Sequence, residues 1–326
     1  MMQQYNKRIT GVGSALVDIL INETDDFLKS FNKKKGGMTL VEAADIDGIL
    51  ARTDENPVIV TGGAACNTII GVGRLGGTAR FIGRRGNDNF GTLFEDALRS
   101  AGVETSLTLS SSLTGSVISV VTPDAQRSMF THLGAATELD PARIGPHLFA
   151  DTAISVIEGY LLFNPALMMA SVQAAKEAGS MIALDLASFE VVNGCRKILE
   201  EVVREYVDIL IANEDEAAAY TGYEDEKKAI NALSEHVTYA VLKLGKRGSY
   251  ISFNDTITRV EAVSGQPAKD TTGAGDLWAA GFLFGIANGF SIEKSGALAS
   301  ACGYEVCQVV GAHIPKQGWE RIKALI

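Results

Sequence analysis

The chain has 326 residues, 46% hydrophobic and 21% charged, with a formal net charge of −10 at pH 7. This composition excludes a disordered chain, and the acidity argues against nucleic acid or an anionic membrane as the main partner. The length suits one large domain, or a domain with a smaller appendage. Residues 1–8 lack the apolar run of a signal peptide, and the most apolar segment, Leu277–Phe290, is too short to span a bilayer. Four cysteines (Cys66, Cys195, Cys302, Cys307) and four histidines lack zinc-site spacing. Small core thiols in a reducing cytoplasm are therefore expected.

In chain order, Ile9–Gly13 reads as a short buried strand. Its Gly11/Gly13 pair is no dinucleotide fingerprint, because Leu16 stands where the third glycine belongs. Asp18 interrupts the apolar run Val17–Ile21, so it pairs with a charge, faces a ligand or marks a solvated strand end. Phe27–Met38 is polar, and Lys33–Lys35 before Gly36-Gly37 reads as a solvated loop or a phosphate-steering patch. Val41–Leu50 has a weak helical pattern and Pro57–Thr61 is β-rich. Gly62-Gly63 then opens a helix over Ala64–Leu75 with Asn67 in its first turn, which is either a plain glycine hinge or a place for a polyol.

Ala79–Gly83 is a predicted strand, and Asp88 or Asn89 caps a helix that Gly102 ends. From Val103 to Ala135 the pattern is strands and turns, including a hairpin of Val117–Val121 and Ser128–Leu133 around Pro123-Asp124. This segment and Val17–Ile21 together predict a small sheet apart from the main body. From Ile154 onward strands alternate with helices, at Ile154–Ile157, Met181–Leu184, Asp208–Ala212 and Tyr239–Leu244. A hairpin, Ser249–Phe253 with Thr256–Val260, follows, and helices about Gly275–Asn288 and Ser291–Val309 close the chain. Such alternation predicts an α/β fold, a doubly wound and mostly parallel sheet with helices on both faces, plus the small β lid. Ligands in such folds lie beyond the carboxyl ends of the strands, where Glu158, Asp185 and Asn213 fall.

The chemistry concentrates in Lys269–Trp278, Lys-Asp-Thr-Thr-Gly-Ala-Gly-Asp-Leu-Trp. Gly273, Ala274 and Gly275 feed a buried helix, a ready anion site. Asp276 either caps that helix or takes the proton of a hydroxyl that attacks a phosphoryl group. No phosphate-loop signature and no protein-kinase motif occurs, so Gly245-Lys246-Arg247-Gly248 reads as a turn. Asn213-Glu214-Asp215-Glu216 opens a helix, either as a cap or as an organiser of Mg²⁺-bound water.

Four motifs in order resemble the ribokinase-type (phosphofructokinase-B) carbohydrate and nucleoside kinases. They are Gly62–Asn67, Asn213–Glu216, Lys243–Gly248 and Asp270–Asp276, within a likeness running from about Ile9 to Pro315. The resemblance implies one kinase domain over 1–326, with a discontinuous lid from about 15–62 and 103–135. It implies ATP and Mg²⁺, with Asp276 as base and Gly273, Ala274 and Gly275 as the anion hole. By the same likeness, Asp18, Gly62, Gly63, Asn67 and Glu158 hold the acceptor. Asn213 and Glu216 organise Mg²⁺, and Lys243, Gly245 and Gly248 lie near the nucleotide. Asp270 and Thr272 match a monovalent cation site (K⁺) found in many members, and Arg127 is taken as a lid-borne charge for the phosphates.

Ala64 stands where sugar-specific ribokinases tend to carry lysine. Arg127–Ala136, Leu16–Leu20, Gly37–Leu40 and Glu158–Leu161 look like bacterial proteins grouped with adenosine kinase. The acceptor expected on this basis is the 5′-hydroxyl of a purine nucleoside, with Met38, Phe130 or Leu133 near its base. A sugar kinase of fructose, ribose or a ketodeoxy acid, and a non-catalytic regulator, are the alternatives. Family members are monomers or homodimers, and the sequence favours neither.

Overall fold

The computed structural model describes residues 7–31, 35, 37–54, 56–123 and 127–326, and the backbone alone of Arg127. The strands are β1 (Arg8–Val12), β2 (Leu16–Asn22), β3 (Gly37–Leu40), β4 (Val58–Gly62), β5 (Ala79–Gly86), β6 (Val103–Ser110) and β7 (Gly115–Val121). They continue with β8 (Arg127–His132), β9 (Thr152–Glu158), β10 (Met181–Asp185), β11 (Ile209–Asn213), β12 (Tyr239–Lys243), β13 (Ser249–Phe253) and β14 (Thr256–Val260). The helices are α1 (Asp25–Ser30), α2 (Ala43–Leu50), α3 (Ala64–Leu75), α4 (Asn89–Ser100), α5 (Pro165–Glu177) and α6 (Phe189–Gly194). After them come α7 (Arg196–Glu205), α8 (Glu214–Thr221), α9 (Glu226–Leu233), α10 (Ala274–Ala287), α11 (Ile292–Val306) and α12 (Lys316–Lys323).

Nine strands form the main sheet in the order β14-β13-β12-β11-β10-β9-β1-β5-β6. All neighbours from β12 to β6 are parallel, and β13 runs antiparallel to both β12 and β14, forming a hairpin with β14. Asn254 and Asp255 turn that hairpin with φ of 49° and 58°, the left-handed backbone a two-residue hairpin loop requires. The central strands are apolar on both faces because helices cover both. Ile209 and Ile211 of β11 belong to one core layer with α3, α10 and α11, while Leu210 and Ala212 belong to the other with α5 and α7. Each fully buried Ile or Leu contributes about 1.5–3 kcal/mol, so this alternation fixes which residues face which layer.

Helix α10 is buried along Leu277–Gly285 because it lies against both α3 and α11. A Cβ at Gly281 would stand 2.8 Å from the Ala299 Cα, so only glycine lets α11 approach this closely. The result is a rigid post whose N-terminus rises at the ligand edge of the sheet.

A five-stranded sheet, β3-β8-β7-β2-β4, forms the lid. Its register sorts side chains by face. Asp18 pairs with Val117 and Val60, Val117 with Thr131, and Ser119 with Met129, which pairs with Met38. Asp18, Leu20, Val60, Val117, Ser119, Met129, Thr131 and Met38 therefore share one face. Phe130 lies on the other, 1% exposed among Ile46, Ile49 and Phe31, so it is no candidate for contact with a ligand beside Asp18.

Several expectations change. Val103–Ser110 is the edge strand of the main sheet, paired with β5, and does not belong to the small sheet. Its polar–apolar alternation reflects a half-exposed edge, which reads the same in either sheet. Between β2 and β4 the weak helical pattern of Val41–Leu50 is helix α2, while α1 lies in the polar stretch read as a loop. Gly37–Leu40, read as the end of a loop, is strand β3, and α12 follows the two helices expected to close the chain. Lys33, Lys34, Gly36 and Asp124 lie outside the described residues.

Candidate active site

Because β9 to β12 are parallel, their last residues gather on one edge: Glu158, Asp185, Asn213 and Lys243. Register sets Glu158 beside Asp185 and Asn213 beside Lys243. The strand order reverses at β1, and the turn after it, Gly13-Ser14, meets the start of α3. Here Glu158 is 3% exposed, and its Oε2 accepts the N–H of Ser14 at 3.2 Å and of Ala65 at 3.4 Å. Burial raises its pKa to about 7, against the pull of those N–H groups. Glu158 thus holds the turn after β1 against the start of α3.

Gly62 and Gly63 have separate reasons to be glycine. A Cβ at Gly62 would lie 2.5 Å from Oδ1 of Asp18, so the missing side chain is the space the Asp18 carboxylate uses. Gly63 caps α3 with φ of 90°, and a Cβ there would stand 2.5 Å from the Ser14 carbonyl oxygen. Asn67, one turn into α3 and 6% exposed, donates from Nδ2 to Oδ2 of Asp276 at 2.9 Å. Thr68 donates from Oγ1 to the Asp276 carbonyl at 3.1 Å. Sequence reading missed Thr68, whose only signal was its place beside Asn67.

Asp276 does not cap α10. The cap is Gly273, with φ of 73°, and Asp276 sits within the first turn. A carboxylate there points off the helix flank, free of the backbone, and Asn67 takes it up instead. Burial first, then the nearby charges of Asp185 and Asp18, raise its pKa to about 6, while the Asn67 hydrogen bond and Lys243 pull it down. Ala274 spends its N–H on the Thr271 carbonyl at 3.1 Å. By helix geometry the N–H groups of Gly275 and Asp276 have no partner within α10, and these are the amides that point out of its N-terminus. Of the expected hole of Gly273, Ala274 and Gly275, the Ala274 N–H is thus already taken up by the turn.

Asn213 and Glu216 form a complete capping box. Glu216 accepts from the Asn213 N–H at 2.8 Å and from Nδ2 at 2.7 Å, and Asn213 Oδ1 accepts from the Glu216 N–H at 2.9 Å. Burial and Asp185 push the Glu216 pKa up to about 7, against Lys243. Lys243 donates from Nζ to Oδ2 of Asp185 at 2.7 Å. Burial opposes its charge, but Asp185, Glu216 and Asp276 outweigh this and hold its pKa above the ordinary lysine value.

Gly245 and Gly248, with φ of 55° and 88°, form the turn into β13, closed by the Leu244 N–H on the Gly248 carbonyl at 2.8 Å. Arg247 within it pairs with Glu214 and Glu226. Asp270 Oδ1 accepts from the Thr272 N–H (3.0 Å) and Oγ1 (2.8 Å), and Oδ2 from the Gly311 N–H at 2.8 Å. That ties the loop after α11 to the α10 entrance, where a Cβ on Gly311 would meet Val60 and Leu20 of the lid. The lid face bearing Asp18 is therefore the face turned to the site. Arg127 opens β8, and its side chain lies outside the described residues.

An acid beside helix-terminal amides, under a lid, suits transfer of an anionic group to a hydroxyl. Residues 34–318 match the family model described as pfkB family carbohydrate kinase. The chain belongs to that family. The pfkB kinase is 26% identical over 330 residues to an adenosine kinase of Saccharomyces cerevisiae, covering 94% of this chain and 96% of that one. The crystal structure of an adenosine kinase from Sinorhizobium meliloti matches with a TM-score of 0.89 at 31% identity, over 99% of this chain and 100% of that chain. A probable sugar kinase from Rhizobium etli CFN 42 matches with a TM-score of 0.90 at 30% identity, over the full length of both.

The donor set bears on what such a kinase binds. Among the described residues no group of three or more His, Cys, Asp or Glu side chains forms a metal cage. Asn213 and Glu216, bonded to each other, instead fit a Mg²⁺ ion that arrives on phosphates and is met through water. No helix among the described residues is long and apolar enough to cross a membrane. The four cysteines are unpaired.

Proposed function

We propose that this pfkB kinase transfers the γ-phosphoryl group of ATP to the primary 5′-hydroxyl of a nucleoside, adenosine or a related purine nucleoside. The observation that carries the reading is the lid face shared by Asp18, Leu20, Val60, Val117, Met129 and Met38. One carboxylate with the small polar Ser119 and Thr131 beside apolar side chains suits a sugar hydroxyl joined to a flat, largely apolar base. A free sugar would leave that apolar surface without a partner.

Asp276, with a pKa of about 6, is mostly ionised at pH 7 and accepts the acceptor's proton. As the new O–P bond forms, the bond from γ-phosphorus to the bridging oxygen breaks, and the electron pair stays on ADP. The Gly275 and Asp276 amides meet the charge on the transferring group. Asn213 and Glu216 would hold, through water, a Mg²⁺ ion arriving with the nucleotide, which would neutralise phosphate charge. Asp18 and the Gly62-Gly63 backbone hold the acceptor, and Glu158 fixes the Ser14 and Ala65 backbone around it. The lid excludes water, which favours transfer over hydrolysis. Asp270 and Thr272, tied to Gly311, are the proposed place for K⁺. The cytoplasm is the proposed compartment.

A sugar kinase is the second reading, supported by the likeness to the probable sugar kinase of Rhizobium etli. Steady-state rates with adenosine, guanosine, inosine, ribose and fructose under Mg-ATP separate the two, and a strong preference for a free sugar sinks the nucleoside. Asp276→Asn is expected to lower turnover by roughly 10²–10⁴ or more while nucleotide still binds. Unchanged turnover would show that the base is misassigned.

A further inference from the structure

Lys243 ends β12 and Asp185 ends β10, with β11 between them. The lysine chain reaches across the intervening strand, roughly 10 Å of sheet shared between the two side chains, to place Nζ 2.7 Å from Oδ2 of Asp185. The same Nζ lies 3.0 Å from where a Cβ on Gly275 would stand, so the ammonium rests against the backbone of the anion hole. The glycine leaves room for it. Both partners are largely enclosed, with side-chain exposures of 13% and 20%. Asp185 is held in turn, its Oδ1 accepting the N–H of Ala187 at 3.2 Å, and Ala187 takes φ of 66°, which is uncommon for a residue with a Cβ.

An ion pair kept out of water beside helix-terminal amides is costly unless it has a second use. Around it stand Asp276 and Glu216, so Lys243 faces only acidic groups until an anion arrives. A phosphate seated on the Gly275 and Asp276 amides would lie within reach of Nζ and would compete with Asp185 for it.

We infer that Lys243 is a catalytic cation for the β–γ bridging oxygen of the nucleotide, and that Asp185 is a positioning residue which parks its ammonium at the α10 N-terminus until phosphate displaces it. This rests on the kinase reading above. In the transfer step Lys243 hydrogen-bonds the bridging oxygen as it gains the electron pair of the breaking P–O bond. Lys243 keeps its proton, and the acceptor's proton goes to Asp276. Arg127 is then not needed as the cation for that oxygen.

Calorimetric titration of metal-free ADP into the wild type, Lys243→Met, Asp185→Asn and the double variant tests this, with steady-state phosphorylation of adenosine alongside. Asp185→Asn is expected to bind ADP roughly threefold or more tightly, because the competitor for Nζ is gone. Lys243→Met is expected to bind it more weakly and to lose about 10²–10³ in kcat. The double variant, which leaves no unpaired charge and so protects against misfolding, is expected to bind ADP as weakly as Lys243→Met. A purely structural Asp185 would weaken ADP binding when replaced, which overturns the inference. An equal gain from Asp185→Asn with and without Lys243 overturns it too, since only repulsion was relieved. So does a Lys243→Met variant within twofold of wild type in both readouts. A wild type that binds ADP with the expected variant differences yet phosphorylates no nucleoside sinks the acceptor reading and supports the lysine assignment.

Discussion

Replacing Glu158 by glutamine separates the cost of burying a carboxylate from its use as an acceptor for two turns. The ordinary glutamate value is 4.5, and burial at 3% exposure lifts Glu158 to about 7. The folded chain therefore holds this proton more tightly than the unfolded one. Between about pH 4.5 and 7 the folded state binds more protons, so this group's contribution to stability falls as pH rises through that window. At pH 8 the full shift costs about 3 kcal/mol, and at pH 5.5 roughly half or less remains. Glutamine keeps an oxygen for the Ser14 and Ala65 N–H groups but brings an amide donor that costs ~1 kcal/mol unless it finds a partner.

Relative to wild type, Glu158→Gln is thus expected to be more stable at pH 8 by about 1–2 kcal/mol, and equal or less stable at pH 5.5. Urea unfolding at both values reads this directly, with unchanged m-values showing that the same surface is exposed. The pH dependence of the difference isolates Glu158 from Glu216 and Asp276, which shift the same way in both proteins. A difference independent of pH, or one that favours the variant more at pH 5.5 than at pH 8, would refute a protonation cost at this site.

Asn67→Ala removes the hydrogen bond that lowers the Asp276 pKa. The base must be ionised, so kcat/KM rises with pH through about 6, and in the variant that limb is expected to move to higher pH. An unmoved limb would mean that Asn67 does not tune the base. Phe130→Ala is expected to cost about 3–5 kcal/mol in denaturant unfolding with little change in KM, since Phe130 packs on Phe31 away from the site. Met129→Ala, on the Asp18 face, is expected to raise KM for the nucleoside with a smaller loss of stability. The opposite pattern would show that the register assigns the lid faces wrongly.

The fold was legible where local pattern and burial agree. Strands such as Ile209–Asn213 are apolar up to their last residue, glycines stop the helices cleanly, and Asn254-Asp255 names its own turn. Edge elements were not legible. Val103–Ser110 alternates as a lid strand would, and only its pairing with Ala79–Gly86 assigns it to the main sheet. The six-residue helix Asp25–Ser30 is too short to show a period, and its sole buried residue is Leu28. The lid register decided between Met129 and Phe130, neighbours in sequence with opposite surroundings. A one-residue question of that kind depends on pairing partners far along the chain.

The site divides along the same line. Gly-rich turns and strand-end acids announce themselves because each needs a local geometry that few residues satisfy. The charges that set their chemistry do not, because they meet across the fold: Asn67 reaches Asp276 over 209 residues, and Lys243 reaches Asp185 over 58. From sequence, Asp276 competes as helix cap and base on equal terms. In the fold Gly273 takes the cap, and Asp276 is left with a side-chain donor, acidic neighbours and a pKa of about 6. Asp185, Glu216 and Asp276 are the acidic groups that hold the Lys243 charge in place, so this end of the sheet is rich in carboxylates. On the proposed reading a metal-free nucleotide binds through Lys243 and the α10 amides, and one carrying its own cation meets the carboxylates with less repulsion. On that reading the acid proposed as the base also favours a metal-bound nucleotide over a bare one.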